Sequence, residues 1–304
     1  MPRSYRYLHF DVFTAQRFGG NQLAVFLDGR GLAGMDMQAI AREMNFSEST
    51  FILPAEDAGT DMRVRIFTPA EELPMAGHPT IGTAFALART GAVTSLTRRV
   101  TFGLGVGPTP VDLTWTDGDL AFAWMTQLAP TFGPALDDPS SLAPVLRLPV
   151  RTVLATGLPV QPVSCGVPYL IVPLATRAEV DAVTLDQAAY DRFAATSGFG
   201  AIAIYFFTAE PGPDGATVYS RMFAPSLGIV EDPATGSAAG PLGCYLVRHG
   251  ILDEAKAATI VNLQGVRMGR PSVIHVAIAS EGGSITRVRV GGEAVLAGEG
   301  TLYV

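Results

Sequence analysis

The residues best suited to chemistry lie in two short segments of similar sequence. Pro74 to Pro79 reads Pro-Met-Ala-Gly-His-Pro, and Pro233 to Ala238 reads Pro-Ala-Thr-Gly-Ser-Ala. Each segment leads into small, apolar residues with the composition of a helix. A helix N-terminus carries unpaired N–H groups and a partial positive charge, so the two segments predict a pair of sites suited to a carboxylate.

Glycine occupies the same place in both segments, as Gly77 and Gly236. A residue without a Cβ lets the backbone approach a ligand closely. An ordinary capped helix would explain either segment alone, whereas a glycine repeated in register favours a shared binding function. We therefore expect Gly77 and Gly236 to line one cleft, together with their neighbours His78 and Ser237.

The same segments predict how each helix begins. Pro79 suits the first helical position because its φ angle is fixed and its missing N–H is not needed there. Thr235 or Ser237 is the expected N-cap of the second helix. His78 has two interpretations of equal weight, a proton donor at the cleft and a helix cap.

Two carboxylates complete the candidate site. Glu48 precedes an apolar strand, where burial would raise its pKa and suit it to act as a general base. Asp232 immediately precedes the second glycine segment, an odd place for negative charge unless it meets a cation such as a substrate amine. The structural alternatives are a solvated loop residue for Glu48 and an Asp-Pro turn for Asp232.

Composition argues against several other functions. The net charge of −7 and the lack of a basic cluster argue against a nucleic-acid partner. The only lysine, Lys256, lies in a polar stretch and offers no Schiff-base or phosphate-binding candidate. No histidine pairs with Cys, Asp or Glu at ligand spacing, so we expect no metal, and no nucleotide fingerprint is present, so we expect no cofactor.

The termini and cysteines indicate where the protein works. The first residues lack the apolar region of a signal peptide, and no apolar run approaches the length of a membrane helix. Cys165 and Cys244 are too few for a disulfide framework, and we expect both to be buried, free thiols. These features favour a cytoplasmic protein with no membrane partner.

The elements that must position the site repeat along the chain. Arg-x-Phe-x-Pro begins at Arg65 and again at Arg221, an offset of 156 (221 − 65), close to half of the 304 residues. Segments 79–90 and 238–249 are apolar on nearly all sides, as in buried helices. We therefore expect an α+β fold of two similar halves, each a mostly antiparallel sheet curled around one central helix. The Pro- and Asp-rich stretch 129–149 marks the boundary between halves 1–128 and 129–304, and the C-terminal strand is a candidate to complete the first half.

Taken together, these motifs resemble the PhzF family, the phenazine-biosynthesis isomerase group within the diaminopimelate epimerase-like fold. The resemblance covers the chain from its first strand to its last and is weakest over about 126–215. Five segments carry it: Arg42–Phe51, Arg65–Pro69, Glu72–Pro79, Glu231–Leu242 and Gln264–Ser272.

The resemblance implies two barrel-like halves related by a pseudo-two-fold axis, with the site in the cleft between them. The family's catalytic glutamate falls on Glu48, its cleft glycine and histidine on Gly77 and His78, and its aspartate and serine on Asp232 and Ser237. In the family's parent reaction a proton moves from C3 to C1 of trans-2,3-dihydro-3-hydroxyanthranilate. We therefore expect a cofactor-independent isomerase of a small carboxylate, assembled as a homodimer, whose cleft closes over the substrate.

Alternatives to this reaction remain open. A lyase that removes water or ammonia from a hydroxy or amino acid would use the same residues, and a small-molecule binding protein would keep the fold without chemistry. Epimerases of the wider fold carry a cysteine in each of the two loops as a pair of bases. Here those places hold Gly77 and Thr235, which argues against racemisation by two thiols.

Overall fold

The computed structural model describes residues 3–304, and its strands belong to one mixed sheet. The strands are β1 (Ser4–Val12), β2 (Asn21–Phe26), β3 (Glu48–Pro54), β4 (Met62–Phe67), β5 (Glu72–Leu73), β6 (Arg99–Leu104), β7 (Gly107–Thr116), β8 (Asp119–Gln127), β9 (Thr131–Phe132), β10 (Gln161–Ser164), β11 (Pro168–Pro173), β12 (Ala203–Thr208), β13 (Val218–Ala224), β14 (Ile229–Asp232), β15 (Ile260–Gln264), β16 (Ser272–Glu281), β17 (Ser284–Gly292) and β18 (Ala294–Tyr303). The α-helices are α1 (Gly34–Met44), α2 (Gly77–Thr90), α3 (Ala143–Leu146), α4 (Val150–Leu154), α5 (Arg177–Ala182), α6 (Gln187–Thr196), α7 (Gly236–Arg248) and α8 (Glu254–Ala257). Short 3-10 turns cover Pro139–Leu142, Pro225–Leu227 and Val266–Met268.

The order of strand pairing is repeated in the two halves of the chain. In the first half β1 pairs with β2, β2 runs parallel to β3, β4 runs parallel to β6, and β7 and β8 follow as antiparallel neighbours. The second half repeats this order with β10, β11, β12, β13, β15, β16 and β17. The predicted α+β class is confirmed, with a single large sheet.

Two strand pairings join the halves, and a third repeats one of them within the second half. β8 pairs with β17 across the middle of the molecule. The last strand, β18, pairs with β1, and β9 pairs with β10 in the equivalent way. The stretch 129–149 therefore holds β9 and short helical segments, whose Leu142, Val145 and Leu146 are buried. Its irregular sequence pattern reflects several short elements that pack on the second half.

The helices α2 and α7 occupy equivalent, buried positions. Their first eleven residues, Gly77–Leu87 and Gly236–Leu246, are all buried. α2 contacts β1, β2, β3 and β8, whereas α7 contacts β10, β11, β16 and β17. Burial on all sides explains why both sequences are apolar throughout rather than along one stripe.

α2 begins two residues before its predicted start, at Gly77 rather than Pro79. α7 begins at Gly236, which agrees with Thr235, but not Ser237, as its N-cap. Proline is accepted at the third position of α2 because the first four N–H groups of a helix have no partner within it. Glycine is a weak helix former, so the local pattern did not reveal the first turn.

Outer helices fill the connections between parallel strands. α1 connects β2 to β3 and packs with Phe26, Phe51 and Phe67 in one apolar cluster. α5 and α6 connect β11 to β12, and they pack in a second cluster of the other half. Cys165 and Cys244 are buried and free, with their Sγ atoms 3.9 Å apart. None of the helices within residues 3–304 has the length and apolar character that a membrane crossing requires.

Candidate active site

The N-terminal ends of α2 and α7 touch each other. A Cβ added to Gly77 would lie 2.5 Å from the Cα of Gly236, and one added to Gly236 would lie 3.1 Å from the Cα of Gly77. No larger residue fits at Gly77 unless the backbones move apart. The glycines therefore allow one helix to approach the other, which brings two positive helix ends to one point.

The first turns of both helices lack side-chain caps. Ala76 occupies the N-cap position of α2, and Thr235 that of α7, but neither side chain accepts a hydrogen bond from its helix. Thr235 donates its hydroxyl hydrogen to Asp232 instead, at 2.6 Å. Ser237 is the second residue of α7 rather than its N-cap, and its hydroxyl lies 2.7 Å from that of Tyr169.

A cavity of about 30 Å³ lies at the helix junction. Glu48, Gly77, His78, Asp232, Gly236 and Ser237, the six residues selected from the sequence, all line it. Tyr169 and Thr235 add polar groups, and the apolar wall comes from Leu73, Met75, Val167, Met222, Leu227 and Ile229. This volume holds about two water molecules.

Glu48 begins β3 and is only 8% exposed, so it is not a solvated loop residue. Its Oε2 lies 3.3 Å from Nε2 of His78. Neither atom has a hydrogen-bond partner that meets geometric criteria among residues 3–304. Burial, and then the negative charge of Asp232, raise the pKa of Glu48 well above its usual range. Burial therefore favours the protonated form of the Glu48 carboxyl group in this conformation.

His78 is neutral. Burial lowers its pKa to about 3, although a hydrogen bond with the backbone of Gln22 acts in the opposite direction. Its Nδ1 lies 3.2 Å from Nδ2 of Asn21, which donates at shorter range to Asp232 and to the carbonyl of Ala234. Because an amide nitrogen has two hydrogens, these two acceptors use both of them.

Asp232 ends β14 and differs from Glu48 in its partners. Its carboxylate accepts hydrogen bonds from Thr235 at 2.6 Å, Asn21 at 2.7 Å and Ser47 at 2.8 Å. Burial raises its pKa to about 6, while the three hydrogen bonds oppose that rise. Hydrogen bonds thus favour the ionised form of Asp232, whereas Glu48 has no such bond at Oε2, and acid–base sites use environments that differ in this way.

Three residues of the site were not identified from the sequence. Asn21 and Ser47 bind Asp232 from 211 and 185 positions away, and Tyr169 meets Ser237 across 68 positions. Ser47 stands next to Glu48 in the segment Asn-Phe-Ser-Glu. Its position beside Glu48 was the local signal that could have indicated its place in the site. Asn21 and Tyr169 join the site through strand pairing, for which neither residue carries a local signature.

Comparison with known proteins agrees with this geometry. Residues 10–300 match the model of a family described as phenazine biosynthesis-like proteins. The trans-2,3-dihydro-3-hydroxyanthranilate isomerase of Pseudomonas chlororaphis is 38% identical over 300 residues, covering 99% of this chain and 100% of that protein. The solved structure of a phenazine biosynthesis protein of the PhzF family from Bacillus anthracis has a TM-score of 0.87 at 25% identity, covering 99% of this chain and 100% of that one.

A more distant structure shares only the fold. A hydroxyproline epimerase from Agrobacterium vitis matches with a TM-score of 0.66 at 14% identity, covering 99% of this chain and 93% of that one. The close relatives extend over nearly the whole chain and carry isomerase names. The protein is thus an isomerase, and it belongs to the phenazine biosynthesis-like (PhzF) family.

Proposed function

We propose that this isomerase needs no cofactor and moves a proton on a small carboxylate that also bears an amine, with Glu48 as the acid–base group. The observation that carries the proposal is the pair Glu48 Oε2 and His78 Nε2. Both are buried polar atoms that lack a hydrogen-bond partner within residues 3–304, and both residues line the cavity. A buried polar group without a partner is costly, and a bound substrate would supply one.

Two features account for recognition of such a substrate. The uncapped first turns of α2 and α7 offer backbone N–H groups and two positive dipole ends to a carboxylate. Asp232, ionised above about pH 6, offers the matching negative charge to an amine. The chlororaphis relative is named for an anthranilate derivative, which carries both groups.

The size of the cavity supports an opening motion. Ligand sites for small organic molecules usually occupy about 300 Å³ or more, so a cavity of about 30 Å³ represents a closed cleft. In an open cleft, water would hydrate Glu48 and keep it ionised. Closure over the substrate would remove that water and raise the pKa of Glu48, which strengthens the carboxylate as a base.

Proton transfer then needs one carboxylate and no other reactant. Glu48 takes the proton from one carbon, and the electron pair left behind shifts through the adjacent double bond to a second carbon. The same carboxyl group returns a proton to that second carbon. Substrate and product have the same atoms, and Glu48 ends as the carboxylate with which it began.

The test is turnover of trans-2,3-dihydro-3-hydroxyanthranilate by wild type, Glu48→Gln and Glu43→Gln. Glu43 lies exposed on α1 and undergoes the same chemical change, so it is the matched control. We expect wild type and Glu43→Gln to form an isomer, and Glu48→Gln to lose about 10²- to 10⁴-fold in kcat. A loss of less than about tenfold would show that Glu48 is not the base.

The product distinguishes the alternative reactions. Loss of water or ammonia, read by mass spectrometry, would identify a lyase. Binding with neither product nor exchange of a substrate proton for deuterium in heavy water would identify a binding protein.

We also propose that each repeated unit is a barrel-like half, one formed by 1–128 and completed by β18, the other by the remainder of 129–304. The support is that α2 and α7 each contact strands from both ends of their own unit. We propose a homodimer as the working assembly, for which light scattering would give the mass of two chains.

A further inference from the structure

A buried hydrogen-bond network lies behind Asp232, on the side away from the cavity. It joins Tyr205 on β12, Ser220 on β13, and Asn262 and Gln264 on β15. All four residues are fully buried, with no exposed surface. None of them lines the cavity or enters the proton transfer described above.

Gln264 connects this network to the site through four hydrogen bonds. Its Nε2 donates to the backbone carbonyl of Asp232 at 2.8 Å and to Oγ1 of Thr235 at 2.9 Å. Its Oε1 accepts from the backbone N–H of Thr235 at 3.1 Å and from the hydroxyl of Tyr205 at 2.9 Å. The side-chain amide thus uses its full capacity of two donors and two acceptors.

These bonds fix the orientation of the amide. In a flipped amide, Nε2 would face the N–H of Thr235, which places a donor against a donor. Oε1 would face the carbonyl of Asp232, which places an acceptor against an acceptor. Because Nε2 can only donate, the Thr235 hydroxyl must accept from it. The single hydrogen of that hydroxyl is then committed to Oδ2 of Asp232, at 2.6 Å.

The first half of the chain shows that the fold does not need these polar groups. β4 pairs with β6 at Met62 and Phe102, and β13 pairs with β15 at Val218 and Asn262. Phe102 is therefore the counterpart of Asn262, and Leu104 that of Gln264, both offset by 160 (262 − 102, 264 − 104). Apolar side chains thus stand in the first half in the places of Asn262 and Gln264, whereas the counterpart of Tyr205 is the polar Thr50.

The loops differ in the same way. Ile66 pairs with Leu73 and Met222 with Asp232, which makes Leu73 the counterpart of Asp232. Thr235 stands where the first half has Ala76, an offset of 159 (235 − 76). The places of Asp232, Thr235, Asn262 and Gln264 are therefore polar in the second half and apolar in the first.

We propose that Gln264 is a positioning residue for Asp232: its amide holds both ends of the loop from Asp232 to Thr235 and commits the Thr235 hydroxyl to the carboxylate. The effect on Asp232 follows from the contacts alone. Its consequence for turnover rests on the proposed function, because there Asp232 must be ionised to hold the substrate amine.

Other titratable groups also face Asp232, and Gln264→Met leaves all of them in place. Glu48 faces it from β3, and Glu231 precedes it on β14 and raises its pKa. Tyr169 and Tyr205 lie close enough that the charge of Asp232 raises their pKa values. His78 lies beyond Asn21 and is neutral.

The test is the pKa of Asp232 in Gln264→Met, measured by carboxyl-carbon NMR with Asp232→Asn to assign the signal. Methionine keeps the length of the side chain and removes every hydrogen bond. A hydrogen bond to the ionised form lowers the pKa of an acid. We therefore expect the pKa of Asp232 to rise above about 6, by roughly one pH unit.

Tyr205→Phe is the matched control. It removes a buried hydroxyl from the same network, but it leaves the amide of Gln264 held by Thr235 and Asp232. We expect a lower melting temperature with an unshifted pKa of Asp232. If Gln264 were merely structural, Gln264→Met would also lower the melting temperature without shifting the pKa of Asp232. That result would overturn the proposal.

Two further variants keep the test open if Gln264→Met does not fold. Gln264→Glu preserves the shape but has at most one hydrogen where the amide has two, so Thr235 or the Asp232 carbonyl loses its donor. Thr235→Val removes the hydroxyl, and Thr235→Ser keeps it. We expect the pKa of Asp232 to be raised in Gln264→Glu and Thr235→Val and unchanged in Thr235→Ser. An unchanged pKa of Asp232 in Gln264→Glu would refute the positioning role of Gln264.

Kinetics separate this proposal from the proposed function. In Gln264→Met the acidic limb of kcat/KM should move upward in pH with the pKa of Asp232, while kcat at high pH changes little. If the protein turns over no amino carboxylate, the proposed function fails. The NMR measurement still decides the role of Gln264.

Discussion

At the scale of single residues, Glu48 and Asp232 share one cavity and differ in their hydrogen-bond partners. Asp232 accepts three hydrogen bonds, which hold its pKa at about 6 despite burial. Oε2 of Glu48 lies 3.3 Å from Nε2 of His78 and has no hydrogen-bond partner among residues 3–304. A neutral Glu48 must lose its proton before it can act as a base, which is why entry of water through an open cleft is part of the proposed reaction.

Burial of Glu48 in the closed conformation has a consequence for stability. Its pKa in the folded protein is raised, so folding takes up a proton at any pH between the unfolded and folded values. The stability that Glu48 provides is fully present below the unfolded pKa and is lost as pH rises through the folded pKa. Its replacement by glutamine removes this dependence.

We expect the free energy of unfolding of wild type to fall relative to Glu48→Gln as pH rises from about 5. The slope should approach about 1.4 kcal/mol per pH unit for one proton. Urea denaturation of both proteins at several pH values measures it, with Glu43→Gln as the exposed control. Parallel curves for wild type and Glu48→Gln would show that Glu48 is ionised in the folded protein.

At the scale of elements, the repeated Arg-x-Phe motif positions the two glycine loops. Arg65 binds Glu72 at 2.6 Å and lies over the ring of Phe67. Arg221 binds Glu231 at 2.8 Å and lies over Phe223 in the same way. Each arginine thus ties the long strand to the short strand that enters the loop, which explains why the motif and the loop recur together.

The contact between α2 and α7 is also an element-scale feature, and Gly77 is its narrowest point. In Gly77→Ala the new Cβ would lie 2.5 Å from the backbone of Gly236, so the helices must separate. We expect at least a tenfold loss of kcat/KM, since a misplacement of about 1 Å can cost 10²-fold. Gly298→Ala is the control, because a Cβ there meets nothing within 4 Å. Equal activity in both variants would contradict the role of the contact.

At the scale of the whole molecule, the two halves share the same arrangement of strands and helices but contribute different residues to the site. Strand register places Ser49 opposite Phe67 and Ile204 opposite Phe223, so Ala203 is the counterpart of Glu48. Leu73 is likewise the counterpart of Asp232. The first half supplies Glu48, the second supplies Asp232 with its hydrogen bonds, and both supply a helix N-terminus.

A site divided between two halves predicts a change of shape on binding. We expect the radius of gyration from small-angle scattering to decrease when an amino carboxylate analogue is added, because the free protein must open to admit it. The same analogue should produce a smaller decrease in the radius of gyration of Gly77→Ala. A profile unaffected by a saturating ligand would contradict the opening motion.

The sequence alone was sufficient for the properties that depend on local pattern. It indicated the α+β class and the repeat, since strand periodicity, buried helices and the Arg-x-Phe motifs are visible within short windows. It also selected Glu48, Gly77 and Asp232, which stand in short, distinctive segments. The start of α2 was wrong by two residues, because tertiary packing, rather than intrinsic propensity, holds glycine in a first turn. The start of α7 agrees with Thr235, but not Ser237, as N-cap.

Only the tertiary structure decided which groups meet and which are charged. The hydrogen bonds to Asp232 from Asn21 and Ser47 cross 211 and 185 positions, and that from Gln264 to its carbonyl crosses 32, so none is visible in a local window. The protonation of Glu48 depends on burial, which sequence position does not determine. Electrostatic energy depends on distance and solvation in three dimensions, and these quantities arise only when the two halves close on each other.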